Sequence, residues 1–181
     1  MKLYHTGTVA IPAPDIRHGR VNADFGQGFY LTPDADFTYR WARKDAVVNE
    51  YELDMTGLAV HQFERNEAWF DYIYNNRRAR DTLAADVIIG PIANDTIFDT
   101  FGIISSGYLK PDDALALLRI GPAYTQVAVK TEKAVAQLKW MGASVVPEVQ
   151  VHREALKEEL AEYDRAFAAR LSRIMGDSDG Q

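Results

Sequence analysis

The chain contains no cysteine, which excludes disulfides, thiol nucleophiles and cysteine-based zinc sites. It also lacks an excess of positive charge: 20 basic residues against 26 acidic ones give a net charge of −6, which disfavours broad binding to a phosphate backbone. No apolar run approaches the ~20 residues of a membrane span. The opening residues, MKLYH, are not followed by the apolar region of a signal peptide. We therefore expect a cytoplasmic protein that does not bind membranes.

Several common catalytic and metal-binding motifs are missing as well. The sequence has neither an HExxH motif, nor a GxxxxGK[ST] phosphate loop, nor a GxSxG nucleophile elbow. Its histidines lack the spacing of metal ligands; they are His5, His18, His61 and His152. We therefore expect no metal site.

Apolar patterns along the chain predict a mixed α+β fold. The length of 181 residues and a hydrophobic content of 47% are typical of one domain with a real core, with room for a terminal extension. Short apolar segments predict strands over residues 2–5, 29–31, 47–54, 58–63, 86–90 and 125–129. Caps and periodic apolar residues predict helices over 34–46, 66–80 and 131–140, one beginning near Asn94 and one from Lys110 to Gly121.

The C-terminal part has a different pattern. From Pro147 onward, apolar residues recur at intervals of three, four or seven: Val149, Leu156, Leu160, Tyr163, Phe167, Leu171 and Ile174. This pattern predicts a helix of roughly 28 residues. It either lies across the body of the protein or serves as an arm for homodimerisation or for a partner protein. We predict a domain over 1–142 and a helical extension over 143–181.

A glycine-containing turn is the most distinctive segment. Residues 24–32 read DFGQGFYLT, with Gly26 and Gly28 directly ahead of a short aromatic strand. Glycine has no Cβ and tolerates positive φ, so this spacing predicts a turn whose backbone comes close to a ligand, with Tyr30 beside it. The alternative interpretation is an ordinary β-turn followed by a core aromatic residue.

Two segments together resemble the ADP-ribosyltransferase superfamily. Residues 3–8 (LYHTGT) and 25–32 (FGQGFYLT) are similar to the first two motifs of its diphtheria-toxin-like branch, whose signature is His, Tyr and then Glu, Asp or Gln. Residues 86–95 (DVIIGPIAND) and 125–129 (TQVAV) are similar to an uncharacterised bacterial family placed in that superfamily. The resemblance covers about residues 1–142. It implies two small packed sheets that form a split cleft, with flanking helices.

The resemblance also implies site residues and a cofactor. His5 would bind the adenosine ribose of NAD⁺, Tyr30 would stack on nicotinamide, and Gln126 would bind the nicotinamide-side ribose. These three are the implied catalytic residues. NAD⁺ would be bound by His5, Thr6, Gly7, Phe25, Gly26, Gly28, Tyr30, Asn94 and Asp95. The simplest alternative for Asn94 and Asp95 is a helix cap.

Gln126 replaces the glutamate that many relatives carry. Cleavage of the nicotinamide–ribose bond builds positive charge on the sugar, which a carboxylate stabilises and a neutral amide only orients. The glutamine therefore predicts mono-ADP-ribosylation, slow turnover, or an acid supplied from elsewhere, for which Asp24, Asp95 and Glu132 are candidates. We also expect Gln126→Glu to keep or raise NAD⁺ cleavage.

The functional expectation is an NAD⁺-dependent mono-ADP-ribosyltransferase with an unknown macromolecular or small-molecule acceptor. Two alternatives stay open: a catalytically weak or inactive binding module of the same fold, and an NAD⁺ glycohydrolase. By analogy alone, compact intracellular transferases of this type include toxins neutralised by a neighbouring antitoxin, and the long C-terminal helix suits such a partner.

Overall fold

Seven strands form two sheets in the computed structural model, which describes residues 1–78, 81–93 and 111–178. The three-stranded sheet has the order β1-β3-β7 and is antiparallel throughout. The four-stranded sheet has the order β2-β6-β5-β4, and only β4 and β5 run parallel. The strands are β1 (Lys2–Gly7), β2 (Phe29–Leu31), β3 (Val47–Leu53), β4 (Val60–Gln62), β5 (Val87–Pro91), β6 (Thr125–Val129) and β7 (Leu138–Val145).

The two sheets are joined where β1 meets the end of β2. Tyr4 and Thr32 form an antiparallel bridge, in which the Tyr4 amide donates to the Thr32 carbonyl at 2.8 Å and the Thr32 amide to the Tyr4 carbonyl at 3.0 Å. Side chains of both sheets, with Ala134 from a short helix, fill one core: Leu3, Phe29, Leu31, Tyr51, Leu53, Val87, Ile89, Val127, Val129, Ala134 and Leu138. The predicted α+β class with two sheets is confirmed.

The two central strands of the four-stranded sheet, β5 and β6, are formed by continuous runs of apolar residues. Val87 and Ile88 in β5 and Val127 and Val129 in β6 are fully buried. A strand covered on both faces needs apolar residues at consecutive positions rather than at alternate ones. The runs VII and VAV meet this requirement, so the predictions for residues 86–90 and 125–129 agree closely with β5 and β6.

Side-chain caps fix the starts of three helices. Asp34, Asn66 and Thr131 each accept a hydrogen bond from the backbone amide three residues later, at the first turn of the helix that follows. The helices are α1 (Ala35–Tyr39), α2 (Glu67–Asn76), α3 (Pro111–Leu118), α4 (Glu132–Ala136) and α5 (Val149–Ser178), with a 3₁₀ turn at Ile16–His18. Among the described residues, none of the helices has both the length and the apolar composition of a membrane span.

Two predicted helices are shorter than expected, one because it ends in a turn and the other because a strand follows it. The helix predicted over 34–46 ends at Tyr39, and Asp45 adopts φ 62° just before β3. Trp41, which would share one face of the longer helix with Phe37, is 60% exposed. The helix predicted to reach Trp140 ends at Ala136, because Trp140 pairs with Tyr51 as part of β7.

The described contacts divide the chain into two units that differ from the predicted domains. One comprises Met1–Ile92 and Tyr124–Glu154 and contains both sheets; the other comprises Ala93–Ala123 and Ala155–Gln181. The predicted boundary at 142/143 lies inside β7, which is paired with β3 along its length. A division there would cut the three-stranded sheet.

The long C-terminal helix is confirmed, with 30 residues in α5. Within the second unit, Ile174 of α5 and Leu117 of α3 form a buried cluster, against which Ile120, Phe167 and Leu171 pack. The predicted apolar face is therefore used for packing at these positions, whereas Leu160 is 43% exposed.

This packing predicts the effect of two neighbouring substitutions. Ile174→Ala should lower the free energy of unfolding by about 2–4 kcal/mol, because it leaves a cavity against Leu117. Met175→Ala, at a position 47% exposed, is the matched control and should change it by less than about 0.5 kcal/mol. Urea unfolding followed by circular dichroism measures both. Equal effects would contradict the burial of this face.

Candidate functional site

His5 lies at the point where the two sheets separate. Its Nδ1 is 2.7 Å from the carbonyl oxygen of Tyr30, which lies two residues before Thr32 of the Tyr4–Thr32 bridge. Because a carbonyl only accepts, Nδ1 carries the proton. Burial lowers the pKa of the imidazole, against the opposing effect of this hydrogen bond, so the ring is neutral at pH 7. Its Nε2 then presents a lone pair, which accepts no hydrogen bond from the part of the chain that the structure describes.

The His5 ring itself packs on Phe29, with centroids 4.6 Å apart. Thr6 points to the opposite face of β1, where its hydroxyl donates to the Thr38 carbonyl at 2.6 Å. Gly7 lies beside the imidazole, and a Cβ there would be 3.7 Å from His5 Nε2, an ordinary contact. Of the predicted segment 5–7, His5 alone therefore directs its side chain to the junction with β2.

Tyr30 is fixed at both ends of its side chain. Its backbone pairs with Ala128 of β6, and its hydroxyl accepts from the Phe25 amide at 2.9 Å and donates to the Gly26 carbonyl at 2.7 Å. Burial raises the pKa of the phenol far above its usual value, so the hydroxyl stays protonated. The glycine turn and the tyrosine therefore form one hydrogen-bonded unit.

The space left by the glycines is occupied by the protein itself. Gly26 has φ +76°, and a Cβ there would lie 2.6 Å from Asp81 Oδ2. A Cβ on Gly28 would lie 2.8 Å from the Val129 carbonyl oxygen, and one on Gly19 would lie 2.2 Å from the Gly28 carbonyl oxygen. At these positions the absence of a Cβ allows close contact between segments of the chain, and their approach to a ligand stays a prediction.

Phe25, which the resemblance placed at the cofactor, is fully buried. Its ring packs against those of Phe63 and Tyr72, at centroid distances of 6.0 and 6.3 Å, and these two rings also contact each other. A side chain in this position cannot contact a ligand without unpacking the core. The side chain of Phe25 anchors the turn in the core, and a part for this residue in cofactor binding stays a prediction.

Polar side chains from distant segments of the chain bind the glycine turn through hydrogen bonds and ion pairs. Asp24 pairs with Arg77 at 2.6 Å, and each side chain is only 11% exposed. The Asn76 amide donates to the Asp24 carbonyl at 3.1 Å. Lys130, directly after β6, donates to the Phe25 carbonyl and pairs with Asp81. The position of the turn is thus set by α2, the residues near Asp81 and the end of β6.

Gln126 is buried on β6 and is joined to the same turn. Its Nε2 donates to Asp24 Oδ2 at 2.9 Å and to the Pro91 carbonyl at 3.2 Å. Its Oε1 has no hydrogen-bond partner within the described ranges 1–78, 81–93 and 111–178. Of the three candidate acids, Asp24 therefore lies against Gln126, whereas Glu132 forms an exposed ion pair with Arg17.

The structure brings Tyr30 and Gln126 to one face of the four-stranded sheet. Tyr30 pairs with Ala128, so Gln126, two residues away on β6, is its diagonal neighbour on the same face, at about 7–8 Å. His5 reaches this pair through the Tyr30 carbonyl, while its ring contacts Phe29, whose side chain belongs to the opposite face. Asn94 and Asp95 lie outside the described residues.

Some members of this cluster had weaker signals in the sequence. Arg77 stands out only as a cation at the end of α2, where it fits the helix dipole equally well. Lys130 and Asp81 have no signal beyond their charge. No group of three or more histidine or acidic residues in the described part of the chain is arranged to hold a metal ion.

The lowered pKa of His5 predicts a pH dependence of stability. Folding favours the neutral imidazole, so this contribution is complete above the unfolded pKa, about 6.5, and is lost as the pH falls through the folded value. His5→Asn keeps a donor for the Tyr30 carbonyl but does not titrate. We expect the difference in melting temperature between wild type and His5→Asn to shrink from pH 7.5 to pH 5. A constant difference would contradict it.

The chain matches a known protein family. Residues 1–140 match the family described as "Protein of unknown function (DUF3990)", and the chain belongs to that family. The match contains β1 to β6, α4 and the start of β7, and therefore His5, the glycine turn, Tyr30 and Gln126. No curated protein matches the sequence.

Proposed function

We propose that this member of the DUF3990 family is an NAD⁺-dependent mono-ADP-ribosyltransferase with an ADP-ribosyltransferase-like arrangement of its two sheets. The observation that carries the proposal is the placement of His5, Tyr30 and Gln126 around β2 and the glycine turn. His5 bonds to the Tyr30 carbonyl, the Tyr30 hydroxyl bonds to Gly26, and Gln126 donates to Asp24 in the same turn. The same three residues are those that the superfamily resemblance selects.

Tyr30 would provide a rigid face for nicotinamide. Its hydroxyl is held by Phe25 and Gly26, so the ring has little rotational freedom left to lose when a ligand binds. No other aromatic ring in the described part of the chain stacks on it. A fixed aromatic face that is not covered by another ring suits a flat heteroaromatic group.

His5 would bind a ribose hydroxyl through Nε2. Burial and the Tyr30 carbonyl keep the proton on Nδ1, so Nε2 can accept a hydrogen bond from the sugar. Protonation of the imidazole would remove this acceptor. The interaction therefore belongs to the neutral form that the fold favours.

Gln126 would orient the nicotinamide-side ribose through Oε1. When nicotinamide leaves with the bonding electron pair as a neutral molecule, positive charge develops at the ribose carbon, which the acceptor then attacks. The carboxamide offers an oxygen but no full charge, and the charge of Asp24 behind it is paired with Arg77. Weak electrostatic stabilisation of this kind favours slow turnover, since a missing electrostatic partner is typically worth about 10²–10³ in rate.

The same observation favours a second candidate, a binding module of this fold without catalysis. A neutral Gln126 and a neutralised Asp24 leave the candidate site with no free carboxylate among its described members. NAD⁺ hydrolysis, with water as the acceptor, would use the same residues. An antitoxin or a second copy of the chain on α5 is part of the proposal by analogy alone.

The proposal predicts how Tyr30 variants bind NAD⁺ in isothermal titration calorimetry. Tyr30→Ala removes the stacking face and should weaken binding at least ~10-fold. Tyr30→Phe keeps the face and loses only the bonds to Phe25 and Gly26, so it should bind within a few-fold of wild type while melting at a lower temperature. Tyr74→Ala, on α2 and outside the site, is the control. No binding by wild type, or equal binding by wild type and Tyr30→Ala, would reject the proposal.

Chromatography of nicotinamide separates the candidate functions. Steady release of nicotinamide from NAD⁺ by the wild-type protein indicates an enzyme, and its absence with intact binding indicates a binding module. With radiolabelled NAD⁺, label on a macromolecule indicates transfer, whereas label in free ADP-ribose indicates hydrolysis.

A further inference from the structure

We infer that Asp24 is a positioning residue that determines which end of the Gln126 carboxamide faces the ligand. Asp24 acts through Gln126 and would not touch NAD⁺ itself. The inference rests on the proposed function for the identity of the ligand. Its structural part, the coupling between positions 24 and 126, can be measured without any ligand.

The orientation of the carboxamide follows from its neighbours. A primary amide nitrogen has two hydrogens, and Gln126 Nε2 lies 2.9 Å from Asp24 Oδ2 and 3.2 Å from the Pro91 carbonyl oxygen. Both neighbours only accept hydrogen bonds. The amide oxygen therefore cannot exchange places with the nitrogen without meeting two acceptors, and Oε1 is directed away from them.

Asp24 is itself held rigidly enough to impose this orientation. Its Oδ1 accepts from Arg77, at 2.6 Å from one terminal nitrogen and 2.8 Å from Nε, which leaves Oδ2 for Gln126. Asn76, which is fully buried, binds the backbone carbonyl of Asp24. Charge-assisted bonds between buried groups are shorter and stronger than neutral ones. The carboxylate thus bonds to Arg77 through Oδ1 and to Gln126 through Oδ2.

This arrangement explains why an amide occupies position 126. A glutamate there would put a carboxylate oxygen at the place of Nε2, about 2.9 Å from Asp24 Oδ2, with no hydrogen between the two like charges. The Pro91 carbonyl would keep its bond from Trp69 Nε1 at 3.0 Å but would face the new oxygen. The geometry therefore replaces the sequence-based expectation: Gln126→Glu alone should impair the site.

The test is a double-mutant cycle on the full chain, with Asp24→Asn, Gln126→Glu and the combined variant. NAD⁺ affinity is measured by calorimetry and the melting temperature by scanning fluorimetry. Each single change should weaken NAD⁺ binding about 10-fold: Gln126→Glu by repulsion, and Asp24→Asn by letting the Gln126 amide turn its NH₂ group outward. The combined variant should regain most of the affinity, because the amide introduced at position 24 can donate to the carboxylate introduced at position 126 and direct the second carboxylate oxygen to the ligand.

Asp86→Asn is the matched control. Asp86 is also a carboxylate held by several donors, Thr131 Oγ1 at 2.6 Å, the Ala59 amide at 2.8 Å and Lys133 Nζ at 3.4 Å, but it precedes β5, at the end opposite Pro91. The Asp86→Asn variant should have a melting temperature lower by a few degrees and an unchanged affinity for NAD⁺. A purely structural role of Asp24 would give the same result for Asp24→Asn.

The outcomes separate this inference from the proposed function. Additive losses of affinity and melting temperature in the combined variant, or an unchanged affinity of Asp24→Asn, would overturn the inference while leaving NAD⁺ binding intact. If wild type does not bind NAD⁺, the proposed function fails, and the melting temperatures decide alone. Recovery of the combined variant above Gln126→Glu then supports the pairing of positions 24 and 126, and additive losses reject it.

Discussion

The fold depends on the short hydrogen-bonded connection between its two small sheets and on the point where β1 and β2 separate. They share one bridge, Tyr4 with Thr32, within the described residues, and the next ladder bond in that register would run from the Thr6 amide to the Tyr30 carbonyl. The His5 imidazole donates to that carbonyl instead. A buried carbonyl without a donor would cost about 1–3 kcal/mol, so a side-chain donor is required where the backbone ladder stops. His5 therefore satisfies the Tyr30 carbonyl where β1 and β2 separate, and it lies at the gap between the two sheets.

A second constraint is the close packing of the glycine turn. The carbonyl oxygens of Gly28 and Val129 occupy space that a Cβ at Gly19 or Gly28 would need, and Phe25 is buried beneath them. These contacts make the turn a fixed support rather than a mobile loop that closes over a ligand. A support of this kind suits a site whose geometry must exist before a ligand arrives, because little order is then lost on binding. In the proposed function the glycines would act through Tyr30 and Asp24, which the turn holds in place.

Sequence patterns predicted the parts of the fold that depend on local chemistry. Buried strands such as β5 and β6 show themselves as apolar runs, and Thr131 is a true helix cap. The cap could not show that the helix is five residues long, since its end is set by the pairing of Leu138 with Leu53, 85 positions earlier in the chain. The candidate site shows the same difference between local sequence signals and contacts of distant residues. Tyr30 and Gln126 were predicted through a resemblance, whereas the contact of Asp24 with Arg77 and Gln126 spans 53 and 102 positions and has no local signal.

The buried pair of Asp24 and Arg77 is better explained by orientation than by stability. Removing two charges from water costs several kcal/mol per ion, and apolar replacements of such pairs are often as stable as the originals. An apolar pair, however, could not hold a carboxamide with its nitrogen inward and its oxygen outward. The Asp24 carboxylate does so with one oxygen while Arg77 neutralises the other, and the result is a polar, uncharged acceptor on β6. This requirement links the ion pair, the turn and Gln126 into one arrangement, and it gives a physical reason for glutamine, rather than glutamate, beside Tyr30.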